Sequence, residues 1–341
     1  MASFKHTFIA SLLYLATAAA YPTPEDICQE AVDPLTVLDT IPLPTSLENL
    51  AVRQNGEIIV TSLASSSVFI VSPGGSETAP VVSSVELPGV GAMSGIVELE
   101  DDVFYIIGLN LTGFSATPGT TALWELDLRS SGGKGCGTRQ PTVNRVAQFP
   151  DAGFFNGMTR LAANDTSHVL ISDSINGTVI RVNVRTGASE TVISDEAVQA
   201  GEGIPFGVNG VRTHDGRLYF TNFNKGTFAS VPISPSSGVA VGAVDIIAEG
   251  VAAVDDFALS PDGARAWLTM NGPNTLLEVD IAARSSVIVA NSTLLTSITS
   301  AAFGRGAGDE GILYITGSEA SSNGTSVGRV IRADVSQLSG I

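Results

Sequence analysis

Positive charge is scarce in this chain. Seventeen Lys and Arg stand against 34 Asp and Glu, a formal net charge of −17, whereas phosphate backbones and anionic bilayers are bound through clustered cationic side chains that release counterions. Nucleic acid and membrane surfaces are therefore excluded as partners, and the acidity reads as a solvated surface. Histidine is almost missing as well. His6, His168 and His214 are the three present, and no Gly-x-Ser-x-Gly elbow occurs, so a Ser–His–Asp hydrolase has no support. The run Gly132-Gly133-Lys134-Gly135 does not join a strand pattern to a helix pattern and is no phosphate cradle. Long apolar runs are absent after the first twenty residues, so no later segment is expected to cross a bilayer.

Those twenty residues have a leader layout. Lys5 precedes an apolar stretch from Phe8 to Ala16, and Ala18-Ala19-Ala20 stand before Tyr21, which predicts a signal peptide over 1–20, a secreted protein and one mature domain over 21–341. The two cysteines, Cys28 and Cys136, have one possible pairing in an oxidising compartment. A bond closing that loop contributes about 4 kcal/mol in the chain-entropy model. Asn110, Asn164, Asn176, Asn291 and Asn323 each open an Asn-x-Thr sequon and are expected glycosylation acceptors.

Charged residues are 15%, hydrophobic ones 44%, and 36 are glycine, a folded and turn-rich composition. About 320 mature residues exceed what a single core organises unless the fold grows by repetition. Repetition is present. Apolar first runs at Glu48–Gln54, Ser94–Leu99, Asn156–Ala162, Asn209–Thr213, Asp255–Ser260 and Thr299–Gly304 have starts separated by 46, 62, 53, 46 and 44 residues. Turns such as Asn55-Gly56, Asp215-Gly216 and Asp262-Gly263 follow, then strands rich in aromatic and β-branched residues. Five units offer four strands, while the sixth lacks a fourth, and Thr36–Leu43 is unassigned. The expected fold is all-β, a six-bladed β-propeller of four-stranded blades whose last blade is closed by this N-terminal strand. A β-sandwich or solenoid is the competing architecture, and the four-strand period of about 50 residues favours the propeller.

Innermost strands of a propeller begin near the axis, so Glu48, Ser94, Asn156, Asn209, Asp255 and Thr299, with Asn49 and Asp256 adjacent, should converge. Such an all-oxygen set has the chemistry of a Ca²⁺ or Mg²⁺ site. The same residue types also open strands simply to hydrogen-bond nearby backbone. Phe154, Phe155, Phe206, Phe257, Met93 and Met158 lie near these starts, as wall or as core between blades.

The pattern resembles the senescence marker protein and gluconolactonase family of six-bladed propellers over nearly all of the mature chain. In that family a metal on the axis is held by a Glu, an Asn and an Asp, and Glu48, Asn209 in Val208-Asn209-Gly210 and Asp255 look like those three. Asn156 in Phe155-Asn156-Gly157 matches a further family Asn near the substrate. Two departures stand out: Phe154 occupies the place of an Arg that grips polar substrates, and Asp256 follows Asp255 where the family has Gly. A phenyl ring in place of a guanidinium points away from a sugar lactone and toward a flatter, apolar ligand.

A secreted fungal branch of similar character includes hetero-Diels–Alder cyclases that join a quinone methide to a terpene alkene. The resemblance implies a cyclase acting on a small apolar substrate with no required cofactor, as a monomer or weak homo-oligomer. Asn156, Asn209 and Asp255 would be its catalytic groups. Phe154, Phe155, Met158, Phe206 and Phe257 would surround the reactants. A lactonase using Ca²⁺ on Glu48, Asn209 and Asp255 with Asp256 as base is the alternative, and a non-catalytic ligand-binding propeller is the third reading.

Overall fold

Short alternating strands bounded by Gly and Asp turns pair, in the computed structural model, into six four-stranded antiparallel sheets. The structure describes residues 33–41, 45–74, 81–113, 115–129, 140–306, 308–320 and 326–338. The leader, Cys28, Cys136 and Asn323 lie outside the described residues.

The chain is a six-bladed β-propeller. Blade 1 runs through Leu47–Val52, Ile58–Ser62, Ser67–Ser72 and Val81–Glu86. Blade 2 uses Ala92–Glu100, Val103–Leu109, Ala122–Asp127 and Thr142–Gln148, with a small hairpin of Leu111–Thr112 and Ser115–Ala116 inserted. Blades 3, 4 and 5 open on Phe155–Arg160, Val208–His214 and Val254–Leu259. Blade 6 holds Ser300–Phe303, Ile312–Ala320 and Ser326–Asp334, and its outer strand is Leu35–Ile41 from the start of the chain, antiparallel with Leu35 opposite Ala333. Helix is confined to two 3-10 turns among the described residues, and none of those residues forms a helix long and apolar enough to cross a membrane.

Six apolar clusters hold the blades together, one at each interface. Ile59 and Phe104 meet between blades 1 and 2, Phe155 and Val169 join Tyr105 between blades 2 and 3, and Leu313 packs with Leu276 between blades 5 and 6. Burial of this kind contributes about 1.5–3 kcal/mol per large side chain.

Toward the axis, blades 1 to 5 share a device that periodicity did not foretell. Pairing of the innermost strand slips by one residue between Leu47 and Leu50, Met93 and Ile96, Phe155 and Met158, Val208 and Val211, and Val254 and Phe257. The extra residue of such a bulge leaves its N–H outside the ladder. In blades 1, 3, 4 and 5 a hydroxyl on the second strand takes up that N–H and reaches on to the next blade, while in blade 2 Ser94 of the innermost strand makes the reach alone. Thr221 Oγ1 accepts from Gly210 N at 2.9 Å and donates to the Asp255 carbonyl. Ser172 Oγ accepts from Gly157 N at 2.9 Å and donates to Asn209 O at 2.6 Å. Thr61, Thr269 and Thr316 reach Ser94 O, Thr299 O and Glu48 O, and Ser94 Oγ reaches Phe155 O. Six hydroxyl bridges thus run from blade to blade around the axis.

Thr221→Val keeps shape and deletes both bonds. Because each orphaned buried group costs about 1–3 kcal/mol, the variant should lose about 2 kcal/mol or more, read as a lower Tm by calorimetry. An unchanged Tm would mean that the bridge contributes nothing.

Candidate functional site

In blades 1, 3, 4 and 5 the bulge aims one side chain at the axis. Glu48, Asn156, Asn209, Asp255 and Thr299 line one cavity of about 210 Å³, together with Leu63, Leu111, Phe154, Phe206, Phe223 and Asn271. A cavity of roughly 150 Å³ holds a benzene molecule, so this one takes a single substituted ring, and anything larger must project from its mouth.

The wall and floor differ in character. Phe154, Phe206 and Phe223 form an edge-on series, with ring centres 5.4 Å apart at 72° and then 6.4 Å apart at 83°. Phe154 is held because Gly153 N and Phe154 N both donate to the Asp173 carboxylate at 2.9 Å. The loop bearing Phe206 is tied down by Asn224, whose Oδ1 accepts from Gly201 N at 2.6 Å and whose Nδ2 donates to Glu202 O at 3.0 Å.

On the floor, Asp255 accepts from two amides, Asn209 Nδ2 at 2.8 Å on one oxygen and Asn271 Nδ2 at 2.9 Å on the other. Glu48 and Asn156 are 7% and 6% exposed, and neither side chain has a hydrogen-bond partner among the described residues. Burial raises the Glu48 carboxyl well above its usual range, and the charges of Asp255 and Asp256 add to this. Burial likewise lifts Asp255 to about 7, with Asp256 contributing and the Asn271 and Asn209 hydrogen bonds opposing. Among the described residues no Lys or Arg lines the cavity.

Asp256 faces elsewhere. Its carboxylate takes Asn49 Nδ2 at 3.0 Å, Ser300 Oγ at 2.8 Å and Arg212 at 2.9 Å, and its other oxygen accepts from Phe257 N. That network joins blades 1, 4, 5 and 6 beneath the floor and leaves Asp256 no free edge with which to activate water.

Five of the six strand-start residues therefore meet in the cavity. Ser94 does not, because its hydroxyl is spent on Phe155 O at 2.7 Å. Phe154 and Phe206 line the cavity, whereas Phe155, Met158 and Phe257 do not. Side chains alternate along a strand, which turns Phe155 away from the axis onto Phe149 at 5.0 Å and leaves Phe257 packed on Phe228 at 5.0 Å. Met158 lies in the core between blades 2 and 3, with Met93 between blades 1 and 2.

Leu63, Phe223 and Asn271 were not anticipated. Each stands two residues after a bridging hydroxyl, Thr61, Thr221 and Thr269 respectively, so the repeated Thr in Val-Thr-Ser, Phe-Thr-Asn and Leu-Thr-Met was the signal that could have found them. Of the sequons, Asn164 is exposed on a turn. Asn176 donates to Asp173 Oδ2 at 2.8 Å, Asn291 donates to Thr275 Oγ1 at 2.9 Å, and Asn110 reaches Gly89 O at 3.5 Å.

Two relatives have this layout's likeness in sequence. The chain is similar to proteins provisionally named hetero-Diels–Alderases. One, from Phoma sp, is 27% identical over 319 residues, covering 82% of this chain and 88% of the relative. The other, asR5 of Sarocladium schorii, is 29% identical over 328 residues, covering 84% and 79%. No family model matches. Among solved structures, the calcium-binding protein regucalcin of Agrobacterium tumefaciens superposes with a TM-score of 0.59 at 13% identity, over 87% of this chain and 94% of that one. Virginiamycin B lyase of Staphylococcus aureus gives 0.51 at 12%, over 87% and 98%, and a luciferin-regenerating enzyme gives 0.57 at 12%, over 87% and 94%. These likenesses concern the fold alone.

His168 and His214 lie away from this cavity, His168 Nδ1 on Asp165 at 3.0 Å and His214 beside Asp215 at 3.5 Å. Among the described residues no group of three or more His, Cys, Asp or Glu is placed to hold a metal. Two carboxyls and two amides remain as a candidate oxygen set, which suits a hard cation such as Ca²⁺ by donor chemistry.

Proposed function

We propose that this chain catalyses a hetero-Diels–Alder cycloaddition between an electron-poor heterodiene, such as a quinone methide, and an apolar alkene. The observation that carries the reading is the pairing, in one cavity, of an aromatic wall with a floor bearing two uncommitted polar groups, Glu48 and Asn156. The names of the relatives support it.

Such a reaction transfers no proton and forms no covalent intermediate, so orientation and polarisation are what a protein can supply. The Asn156 amide would donate to the heterodiene carbonyl, and the Glu48 carboxyl, which burial makes reluctant to ionise, would donate beside it as long as it holds its proton. Both bonds strengthen as the carbonyl oxygen gains electron density in the transition state, which lowers the barrier. Asn209 commits one N–H to Asp255 and thereby fixes that carboxyl. A cavity of about 210 Å³ would admit the heterodiene ring, leaving the alkene over Leu63, Leu111 and Phe206 at the rim. Should Ca²⁺ bind, Glu48, Asn209 and Asp255 would hold it, and it would polarise a carbonyl as a Lewis acid.

The test is product stereochemistry. With a quinone methide generated in situ and a cyclic alkene, the purified protein should raise the rate and shift the enantiomeric ratio. Asn156→Ala should cost about 1–2 kcal/mol of barrier, roughly tenfold in rate, and erode the ratio with it. Phe154→Arg should weaken binding of the apolar reactant. Uncatalysed rate and ratio together with hydrolysis of simple lactones would sink the cyclase reading in favour of a hydrolase.

A further inference from the structure

Two carboxyls line a mostly hydrocarbon cavity, and among the described residues no Lys or Arg lining it supplies a counter-charge. Glu48 is 93% buried and has no partner among the described residues, and the Asp255 oxygens are met only by neutral amides. Arg212, the cation of the layer beneath, is committed to Asp256. Independently of the carboxyls, Asn156 is buried to the same degree, without a partner, and lines the cavity. The rings of Phe154, Phe206 and Phe223 line the same cavity.

A ligand that satisfied every one of these surfaces would carry positive charge and several N–H donors at one end, since an ammonium offers three donors and no acceptor. At the other end it would carry a flat ring to pack against the phenyl edges and faces. Volume sets its size. At about 210 Å³ there is room for one ring and a short tether, a benzene ring alone occupying a cavity of roughly 150 Å³. A net charge of −17 raises the local concentration of any such cation near the surface.

We propose that the cavity binds a monocyclic arylalkylammonium ion, its ammonium on the Glu48 and Asp255 carboxyls and its ring against Phe154, Phe206 and Phe223. The ligand class differs from the neutral reactants of the cycloaddition, and its binding stands or falls without reference to catalysis.

Isothermal titration at neutral pH, with chelator present, compares phenethylamine with its neutral isostere 2-phenylethanol. A hydrogen bond to a charged group contributes about 1.5–3 kcal/mol, so the amine should bind about 10- to 100-fold more tightly than the alcohol. Glu48→Gln should abolish that preference while leaving the alcohol's weak binding in place. Asp255→Asn, isosteric and still able to meet Asn271, should reduce the preference and guards against a misfolded Glu48 variant. Phe223→Leu should weaken amine and alcohol alike. The proposal is overturned if the alcohol binds as tightly as the amine, or if both carboxyl variants retain the preference. It also fails if Ca²⁺ alone gives binding heat while phenethylamine gives none, which would make the floor a metal site only.

Discussion

With chelator present, the Tm of this protein is expected to fall as the pH rises from about 5 to about 8. In the unfolded chain Glu48 and Asp255 titrate near the ordinary carboxyl value of about 4. In the folded chain burial holds Asp255 to about 7 and keeps Glu48 raised, with Asp256 adding to both. Between those limits the folded state retains protons that the unfolded state has released, so raising the pH favours unfolding. The stabilisation is complete below the unfolded pKa and is lost through the folded one. Each step by which a folded-state pKa stands above the unfolded one contributes about 1.4 kcal/mol, so the effect at Asp255 is large enough to read in Tm. The charged and amide groups facing the pair are Asp256 with its partner Arg212, Asn209 and Asn271. Carboxyls held low by hydrogen bonds, such as Asp165 and Asp334, act below about pH 4, outside this window. Asp255→Asn should flatten the slope. Added Ca²⁺ should restore the neutral-pH Tm if a cation can replace the protons between these carboxyls. Calorimetry across the pH series decides: a Tm that rises toward pH 8, or an Asp255→Asn slope equal to that of the parent, contradicts the assignment.

Gly210→Ala is expected to be the most damaging single methyl addition near the axis. A Cβ at this position would overlap Asp256 Oδ1 and lie 2.8 Å from Asp256 Cα, so flexing one side chain cannot relieve it. The backbone of blade 4 or blade 5 must shift, and with it Asn209 and the carboxylate network that joins four blades. Overpacking of a close-fitting core costs about 1–3 kcal/mol, and disruption of a buried charge pair adds more. Loss of 3 kcal/mol or more, together with loss of ligand binding, is the expected outcome by denaturant titration and calorimetry. Full stability in this variant would mean that the axis is looser than its contacts imply. Gly157, whose Cβ would come within 2.5 Å of Asn209 O, should behave similarly but more mildly, since no charge pair lies behind it.

Fold and site were not equally legible in the sequence. Blade number followed from the recurrence of a four-strand unit, and the closing strand at Leu35–Ile41 followed from counting a unit one strand short. The axial residues were readable because each opens an innermost strand, and Glu48, Asn156, Asn209 and Asp255 do meet. What strand alternation could not disclose was which neighbour turns inward, since a bulge inserts one residue and reverses the parity beyond it. Phe257 was misplaced for that reason, whereas Phe155 is turned outward by plain alternation between Phe154 and Asn156, and Asp256, one residue past a cavity carboxyl, faces Arg212. Asn271 and Phe223 directly follow second strands, away from the strand starts that carry the polar residues.

The pairing of Leu35–Ile41 with Ser326–Asp334 has a consequence for biosynthesis. This strand finds its partner only after the intervening blades 1 to 5 have been made, and contacts of such separation form slowly. Blades 1 to 5 can assemble in order while translation continues, but the ring stays open until the last blade receives both its ends. A nascent chain stopped short of residue 326 would expose the edge of Leu35–Ile41 and the unpaired flank of blade 1 together. Ring closure is therefore a single late event, on which the protection of both edges depends.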